Sequence, residues 1–259
     1  MVTPDICALH WLGQIPYQAA WDLQNELAVE IGTGHRPPTL LLLEHPHTYT
    51  FGRRGHLENL LWDEAERARR GVAVYWVDRG GDVTYHGPGQ LVGSPLLPLA
   101  PLQVMASQTK GSPHLPQADY IGYLRRLEQV LIQALAQLGL AAGRLEGLTG
   151  VWVPDAETAA PPDQDYAKIA AIGVKVDAGG ITRHGFALNV DPDMAYWKGI
   201  IGCGLADHPV TSLAEWLDPM PSLPVVISAV CEAFSSVFGY TMQRRTLEQP
   251  AASSPSLSV

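Results

Sequence analysis

Three cysteines, four lysines and a charged fraction of 17% are low counts for a chain of 259 residues, and each shortage excludes something. The cysteines at positions 7, 203 and 231 are odd in number and show no CxxC spacing, so neither a disulfide framework nor a zinc ribbon fits. A reducing compartment, the cytoplasm, is expected. Lysine and arginine total 17 against 26 aspartates and glutamates, a net charge of −9, which argues against a general nucleic-acid or anionic-membrane surface. The densest basic run, Arg53, Arg54, Arg67, Arg69, Arg70 and Arg79, is interleaved with Glu58, Asp63, Glu64, Glu66 and Asp78 and reads as a mixed solvated surface. No uninterrupted apolar run reaches the ~18 residues of a membrane span, and the first residues lack the basic-then-apolar pattern of a secretion signal.

What the chain does have is 46% hydrophobic residues, enough for a substantial core, read here as one domain over residues 1–241 followed by a disordered tail at 242–259. Residues 5–12, "TLLLLEH", "VAVYWV", "QLVGSPLLPL", "GVWV" and "KIAAIGVKV" read as strands, with Pro95 suggesting an edge or a bulge. The turn "DAGG" should fold "KIAAIGVKV" back onto "ITRHGFALNV" as a hairpin. Helices are predicted at "YQAAWDLQNELAVEIG", with Trp21, Leu23, Leu27 and Ile31 on one face, and at "DEAERARRG". A third is predicted after Asp119, with Leu124, Leu127, Leu131, Leu135 and Leu138 in a stripe ended by Gly139, and a fourth around Ile227, Val230, Cys231, Phe234 and Phe238. Ser212 and Glu215 read as a capping box for one more helix. The stretches 103–118 and 154–166 read as surface insertions. Strands and helices without regular βαβ alternation give a mixed α+β class.

The chemistry concentrates in three places. The loop "DRGGDVTYHGPGQLV" offers Arg79, Thr84, Tyr85 and His86 among glycines. Those glycines match neither a dinucleotide-binding nor a P-loop pattern, but they let backbone lie close to a slender ligand. Cys203 sits between Gly202 and Gly204, either as a nucleophile in bendable backbone or as the filler of a turn. A free thiol is mostly protonated at neutral pH, so a nucleophile needs a cation or a base nearby. Lys168, ahead of an apolar strand, is one candidate, the alternative being a lysine that snorkels to solvent; Lys175, beside the hairpin turn, fits the solvent reading better. His86 and His184, each followed by glycine, remain open as base, donor or structural residue. His45 and His47 form an HxH pair with no carboxylate or cysteine cluster beside it, too weak for a metal site.

Taken together, "RGGDVTYHGPGQLV", "KIAAIGVKV", "HGFALNV" with the following "CG", "EHPHTYTFGRRG" and "TGVWV" resemble the lipoyl(octanoyl) transferase family over roughly residues 8–218. The resemblance implies the α+β fold of biotin and lipoate protein ligases, a mixed β-sheet core with flanking helices. It implies an acyltransferase that moves an octanoyl group from acyl carrier protein to the lysine of a lipoyl domain, of a 2-oxoacid dehydrogenase complex or the glycine cleavage H protein. On it, Cys203 is the acyl-thioester nucleophile and Lys168 its proton partner. Arg79, Gly80, Gly81, Asp82, Val83, Thr84, Tyr85 and His86, then Ala171, Ile172 and Gly173, then Gly185, Phe186 and Ala187 line the acyl site. It implies no metal and no resident cofactor, the octanoyl group arriving on phosphopantetheine, and neither nucleic acid nor membrane as partner; a single copy of the chain suffices. Ser94 and Gly202 depart from the family pattern, which usually has an aromatic residue and a proline there. The rival readings are an ATP-dependent lipoate or biotin ligase of the same fold, a non-catalytic acyl- or lipoyl-domain-binding protein, and a cysteine hydrolase.

Overall fold

The computed structural model describes residues 5–99, 119–154, 166–206 and 208–247, so the segment 103–118 and most of 154–166 lie outside the described residues. The apolar runs become strands: β1 Ile6–Gln14, β2 Thr39–Glu44, β3 Thr48–Phe51, β4 Ala73–Trp76, β5 Val83–His86, β6 Gln90–Leu96, β7 Val151–Pro154, β8 Tyr166–Val176, β9 Thr182–Asn189 and β10 Thr241–Arg244. Four helices accompany them: α1 Tyr17–Gly32, α2 Glu64–Arg69, α3 Tyr120–Gln137 and α4 Leu223–Phe238. Seven strands form one mixed sheet in the order β10-β1-β2-β6-β9-β8-β7, and three form a small sheet in the order β4-β3-β5. The class is α+β, as expected. Among the described residues no helix is long and apolar enough to cross a membrane.

Strand alternation sends the two faces of the large sheet into different cores. Leu40, Leu42, Leu91, Phe186 and Leu188 point to the face covered by α3 and α4, and Leu41, Leu43, Val92 and Ala187 to the face covered by α1. On α1 the buried stripe is Tyr17, Ala20, Gln24, Leu27, Ala28 and Ile31, so the helix is rotated from the predicted face and Trp21 and Leu23 flank it. Asp119 starts α3 by accepting from the Gly122 amide at 2.7 Å, and Gly139, at φ 92°, ends it where a residue with Cβ would be strained. The Asp177 carboxylate accepts from the amides of Gly179 (2.8 Å) and Ile181 (3.0 Å), which fixes the turn between β8 and β9.

Four expectations are corrected. Pro95 lies in a central strand, not at an edge; β6 pairs with β9 only as far as Gly93, so its missing N–H falls where that pairing has ended. Residues 242–244, expected in the tail, belong with Thr241 to a strand parallel to β1 that covers its edge; 248–259 lie outside the described residues. Ser212 caps nothing with its side chain, and Leu213–Glu215 is a single 3-10 turn whose Glu215 carboxylate is taken by the Thr211 hydroxyl. Lys175 does not face free solvent: it pairs with Asp78, which also accepts from His184 at 2.7 Å and lies near Arg183.

Candidate active site

The two sheets and the start of α1 enclose a cavity of about 660 Å³. Its floor is the α1 face of the large sheet, where cross-strand register lines up small side chains. Ala171 of β8, Ala187 of β9 and Val92 of β6 form one row, and Gly173 and Gly185 pair in the next. Bulk is missing there for a physical reason. A Cβ on Gly185 would lie 2.1 Å from the Gly93 carbonyl oxygen, and one on Gly173 would lie 3.0 Å from Arg79 Cδ.

The segment read as a loop from Asp78 to Gly89 contains the strand β5, and its alternation divides the predicted residues. Thr84 and His86 turn toward the cavity, whereas Val83 and Tyr85 turn away and pack with Tyr49, Phe51 and Ile200 in the small sheet's own core. Tyr85 also stacks on Tyr196 and meets His47 at 2.9 Å. Arg79, Gly80, Gly81 and Asp82 line the cavity, as do Ala171, Ile172 and Gly173, and Gly185, Phe186 and Ala187. Arg79 is 7% exposed; its guanidinium donates to the Gly80 carbonyl at 2.9 Å and to the Thr50 carbonyl and hydroxyl at 2.5 and 2.8 Å, and its Nε has no partner among the described residues. Burial lowers its pKa from the ordinary arginine value, against the opposing pull of Tyr17, Cys203 and Asp82. The glycines beside it answer mainly to this arginine and to backbone geometry: Gly81 adopts φ 91° and sits 3.4 Å, measured from its would-be Cβ, from Arg79 Nη1.

Cys203 occupies a 3-10 turn, Gly202–Gly204, in the left-handed conformation (φ 58°, ψ 14°). Only one other non-glycine among the described residues has positive φ, His184. Such strain persists where the surroundings hold it. Here Ile201 donates to the Asn59 carbonyl at 2.9 Å, and Gly204 approaches Asp82, whose carboxylate accepts from Asn59 (2.7 Å), His56 (3.1 Å) and the Val83 amide (2.6 Å). Burial would raise the Asp82 pKa, and these donors outweigh it, leaving the carboxyl below its ordinary value.

Lys168 reaches the same cavity because β8 carries a bulge. The register against β7 slips between Val151↔Ala170 and Trp152↔Lys168, so Ile169 and Ala170 both enter the α3–α4 core and Lys168 is re-aimed to the opposite face with Ala171 and Gly173. It is 5% exposed, its ammonium 4.5 Å from the Trp152 ring centroid, and it makes no ion pair among the described residues. The segment that follows Cys203 closes beside it: the Lys168 amide donates to the Pro209 carbonyl at 2.8 Å, and the Thr211 amide to the Lys168 carbonyl at 3.0 Å. A half-buried thiol and a buried, unpaired ammonium thus share one cavity.

Two residues the sequence did not single out, Tyr17 and Gln24 of α1, join His45 and Ser94 in completing it. All four line the cavity, Tyr17 packed against His45 and His86. His45 Nδ1 meets the Ile15 carbonyl at 2.9 Å and His86 Nδ1 meets Gln90 Oε1 at 2.8 Å, which turns each Nε2 lone pair away from those partners. Burial lowers the pKa of His45 to about 4 and holds His86 well below 6.5. His184 Nε2 faces Asp78, and its pKa too is lowered by burial against the pull of Asp78. His45 and His47 do not converge: they bond to different partners, Ile15 and Tyr85.

The catalytic-domain model of lipoyl protein ligases A and B matches residues 16–235. The chain belongs to that family. An octanoyltransferase of Chloroflexus aurantiacus (strain ATCC 29366 / DSM 635 / J-10-fl) is 46% identical over 230 residues, 89% of this chain and 93% of that one. The octanoyltransferase of Solibacter usitatus is 43% identical over 236 residues, 91% of this chain and 94% of the relative. The fold is similar to that of the bipartite lipoate protein ligase of Thermoplasma acidophilum, with a TM-score of 0.67, 18% identity and coverage of 95% and 88% of the two chains. It is similar also to that of lipoate-protein ligase A bound with ATP, with a TM-score of 0.62, 17% identity and coverage of 95% and 90%.

Proposed function

We propose that this acyltransferase of protein lipoylation moves an octanoyl group from acyl carrier protein to the lysine of a lipoyl domain, through a thioester on Cys203. What supports the reading most is one juxtaposition, Cys203 and Lys168 on a single cavity floored by alanine and glycine, in a chain with octanoyltransferase relatives. Cys203, as thiolate beside the Lys168 ammonium, attacks the thioester carbonyl, and the leaving phosphopantetheine sulfur takes a proton from Lys168. The neutral Lys168 amine then accepts the proton shed by the incoming lipoyl-domain lysine as the amide forms and the Cys203 thiolate leaves. Thiolate and ammonium are restored. The thioester supplies the driving force, so the reaction needs neither ATP nor a resident cofactor, and both carrier substrates belong to the cytoplasm.

The test is intact-protein mass after mixing with octanoyl acyl carrier protein. The native chain should gain one hydroxylamine-labile octanoyl group and lose it to an added lipoyl domain, while Cys203→Ala gains none. An adduct that survives Cys203→Ala, or transfer that requires ATP and ignores the cysteine, would overturn the mechanism and favour a ligase.

A further inference from the structure

The turn that carries Cys203 is held at the residues on either side of it. The Ile201 amide donates to the Asn59 carbonyl at 2.9 Å. Gly202 lies against the Trp197 ring, where an added Cβ would stand 2.9 Å from Cζ3, and Gly204 lies against a carboxylate, where one would stand 3.0 Å from Asp82 Oδ2 and 3.5 Å from Asn59 Nδ2. Between these contacts Cys203 keeps a φ of 58°, a conformation that a residue with a Cβ holds only under constraint.

Asp82 joins two of these contacts. Its Oδ2 accepts from Asn59 Nδ2 at 2.7 Å and meets His56 Nδ1 at 3.1 Å, while its Oδ1 accepts from the Val83 amide at 2.6 Å and the His56 amide at 3.1 Å. It therefore fixes the side chain of the residue whose carbonyl holds Ile201, and it abuts Gly204 directly. Asp82 is itself fastened to the small sheet: the Gly52 amide donates to its carbonyl at 3.3 Å, and the Arg54 amide to the Gly81 carbonyl at 3.1 Å. An ionised carboxylate has about four acceptor sites, and four protein donors face these two oxygens. Although Asp82 borders the cavity, its carboxylate has no free site to offer an acyl or pantetheine group. Nor would its charge help the chemistry, since a carboxylate repels a thiolate or a developing oxyanion.

We infer that Asp82 is a positioning residue for Cys203: through Asn59 and Gly204 it holds the turn in the left-handed conformation that aims the sulfur, and it makes no contact with substrate. The inference rests on the acyl-transfer reading and deepens it, giving Asp82 a part different from the acyl contact that its place in the glycine-rich segment suggests. A group that aims the nucleophile changes the rate of the acyl-enzyme complex and not its affinity, whereas a group that binds the acyl head changes affinity. A small, freely diffusing alkylating reagent needs no aimed sulfur, so its reaction separates the aim of Cys203 from the reactivity of its thiol.

The experiment follows Cys203 acylation by intact mass over a range of octanoyl acyl carrier protein concentrations and, separately, alkylation of Cys203 by iodoacetamide. Asp82→Asn keeps an acceptor for the two amides but sets an amide nitrogen against Asn59. Its maximal acylation rate should fall by about 10- to 100-fold, with the half-saturating concentration unchanged and alkylation not slowed. The reciprocal exchange, Asp82→Asn with Asn59→Asp, interchanges donor and acceptor across the same bond and should recover part of the rate. Should Asp82→Asn fail to fold, Asn59→Ala removes the donor while leaving the backbone carbonyl for Ile201, and it carries the same expectation. A folded variant with the native maximal rate, one that loses affinity alone, or one whose alkylation slows in step with acylation overturns the positioning role while the transferase reading stands. A native chain that takes up no octanoyl group overturns the transferase reading and this role with it.

Discussion

At the scale of the residue, Gly173 makes the sharpest claim, because its position asks nothing unusual of φ and its cost is purely one of space. An added methyl would meet Arg79 Cδ at 3.0 Å and the Gly80 carbonyl oxygen at 3.1 Å, so either the buried guanidinium or the backbone beside it must give way. Gly173→Ala should leave the protein folded and slow Cys203 acylation by about tenfold or more, since small displacements of a positioned group cost that much; an unchanged acylation rate would show that the Arg79 wall plays no part. Gly81→Val differs in kind. Its φ of 91° makes a β-branched residue strained, so beyond lost acylation it should cost about 1–3 kcal/mol of stability, read as a lower urea midpoint. The sequence pointed to Cys203 because glycines on both sides of a cysteine signal exposed, bendable backbone. It left Lys168 undecided because the bulge at Ile169 and Ala170, which turns the ammonium into the cavity, has no signature in spacing. Alternation could have separated Thr84 and His86 from Val83 and Tyr85, had the stretch been read as a strand of period two.

At the scale of the element, Glu128 ties α3 to the site. Fully buried, its carboxylate accepts from Arg125 at 2.8 Å, from Arg144 at 2.9 Å and from the Gly150 amide at 3.2 Å. Gly150 in turn lies on the stem of Lys168, its would-be Cβ 3.3 Å from Lys168 Cε, so the helix positions the segment that walls the ammonium. Glu128→Ala strands a buried amide while the two arginines, 44% and 35% exposed, retain access to water. The expected loss is therefore about 2 kcal/mol, near the cost of an unsatisfied buried group rather than that of an unpaired buried charge. Calorimetry should show the drop, and acylation should fall with it, Glu128→Gln recovering part of both; a variant as stable as the native chain would remove Glu128 from the scaffold. Nothing in the sequence distinguished Glu128 from a surface partner of Arg125 at i, i+3, because Arg144 and Gly150 come from another segment. The helices themselves were legible because the leucine stripe and the Asp119 and Gly139 caps agree. The failed reading at Ser212 shows the reverse, a capping pattern whose acidic member is engaged by Thr211 instead.

At the scale of the whole molecule, histidines buried in the cavity and elsewhere in the fold make it sensitive to acid. His10, His45, His47, His86 and His184 all have pKa values lowered by burial, whereas in the unfolded chain each would protonate near pH 6.5. Below that pH the unfolded state binds protons that the folded state refuses, so stability falls as pH falls. For His45 the window runs from 6.5 down to about 4, and at about 1.4 kcal/mol per pKa unit its share reaches about 3 kcal/mol at the lower end. Asp78 and Asp82, whose carboxyls lie below the usual 3.8, lose their contribution only in a more acid range, and the solvent-facing His56, raised by its hydrogen bond to Asp82, acts weakly in the opposite sense. The melting temperature should therefore drop by roughly 10 °C between pH 7 and pH 5. His45→Asn keeps a donor for the Ile15 carbonyl but cannot titrate, so its melting curve against pH should be measurably shallower. A native melting temperature that stays level across this range would mean that these histidines gain and lose protons as freely as in the unfolded chain, and that their surroundings are wet enough to solvate an imidazolium.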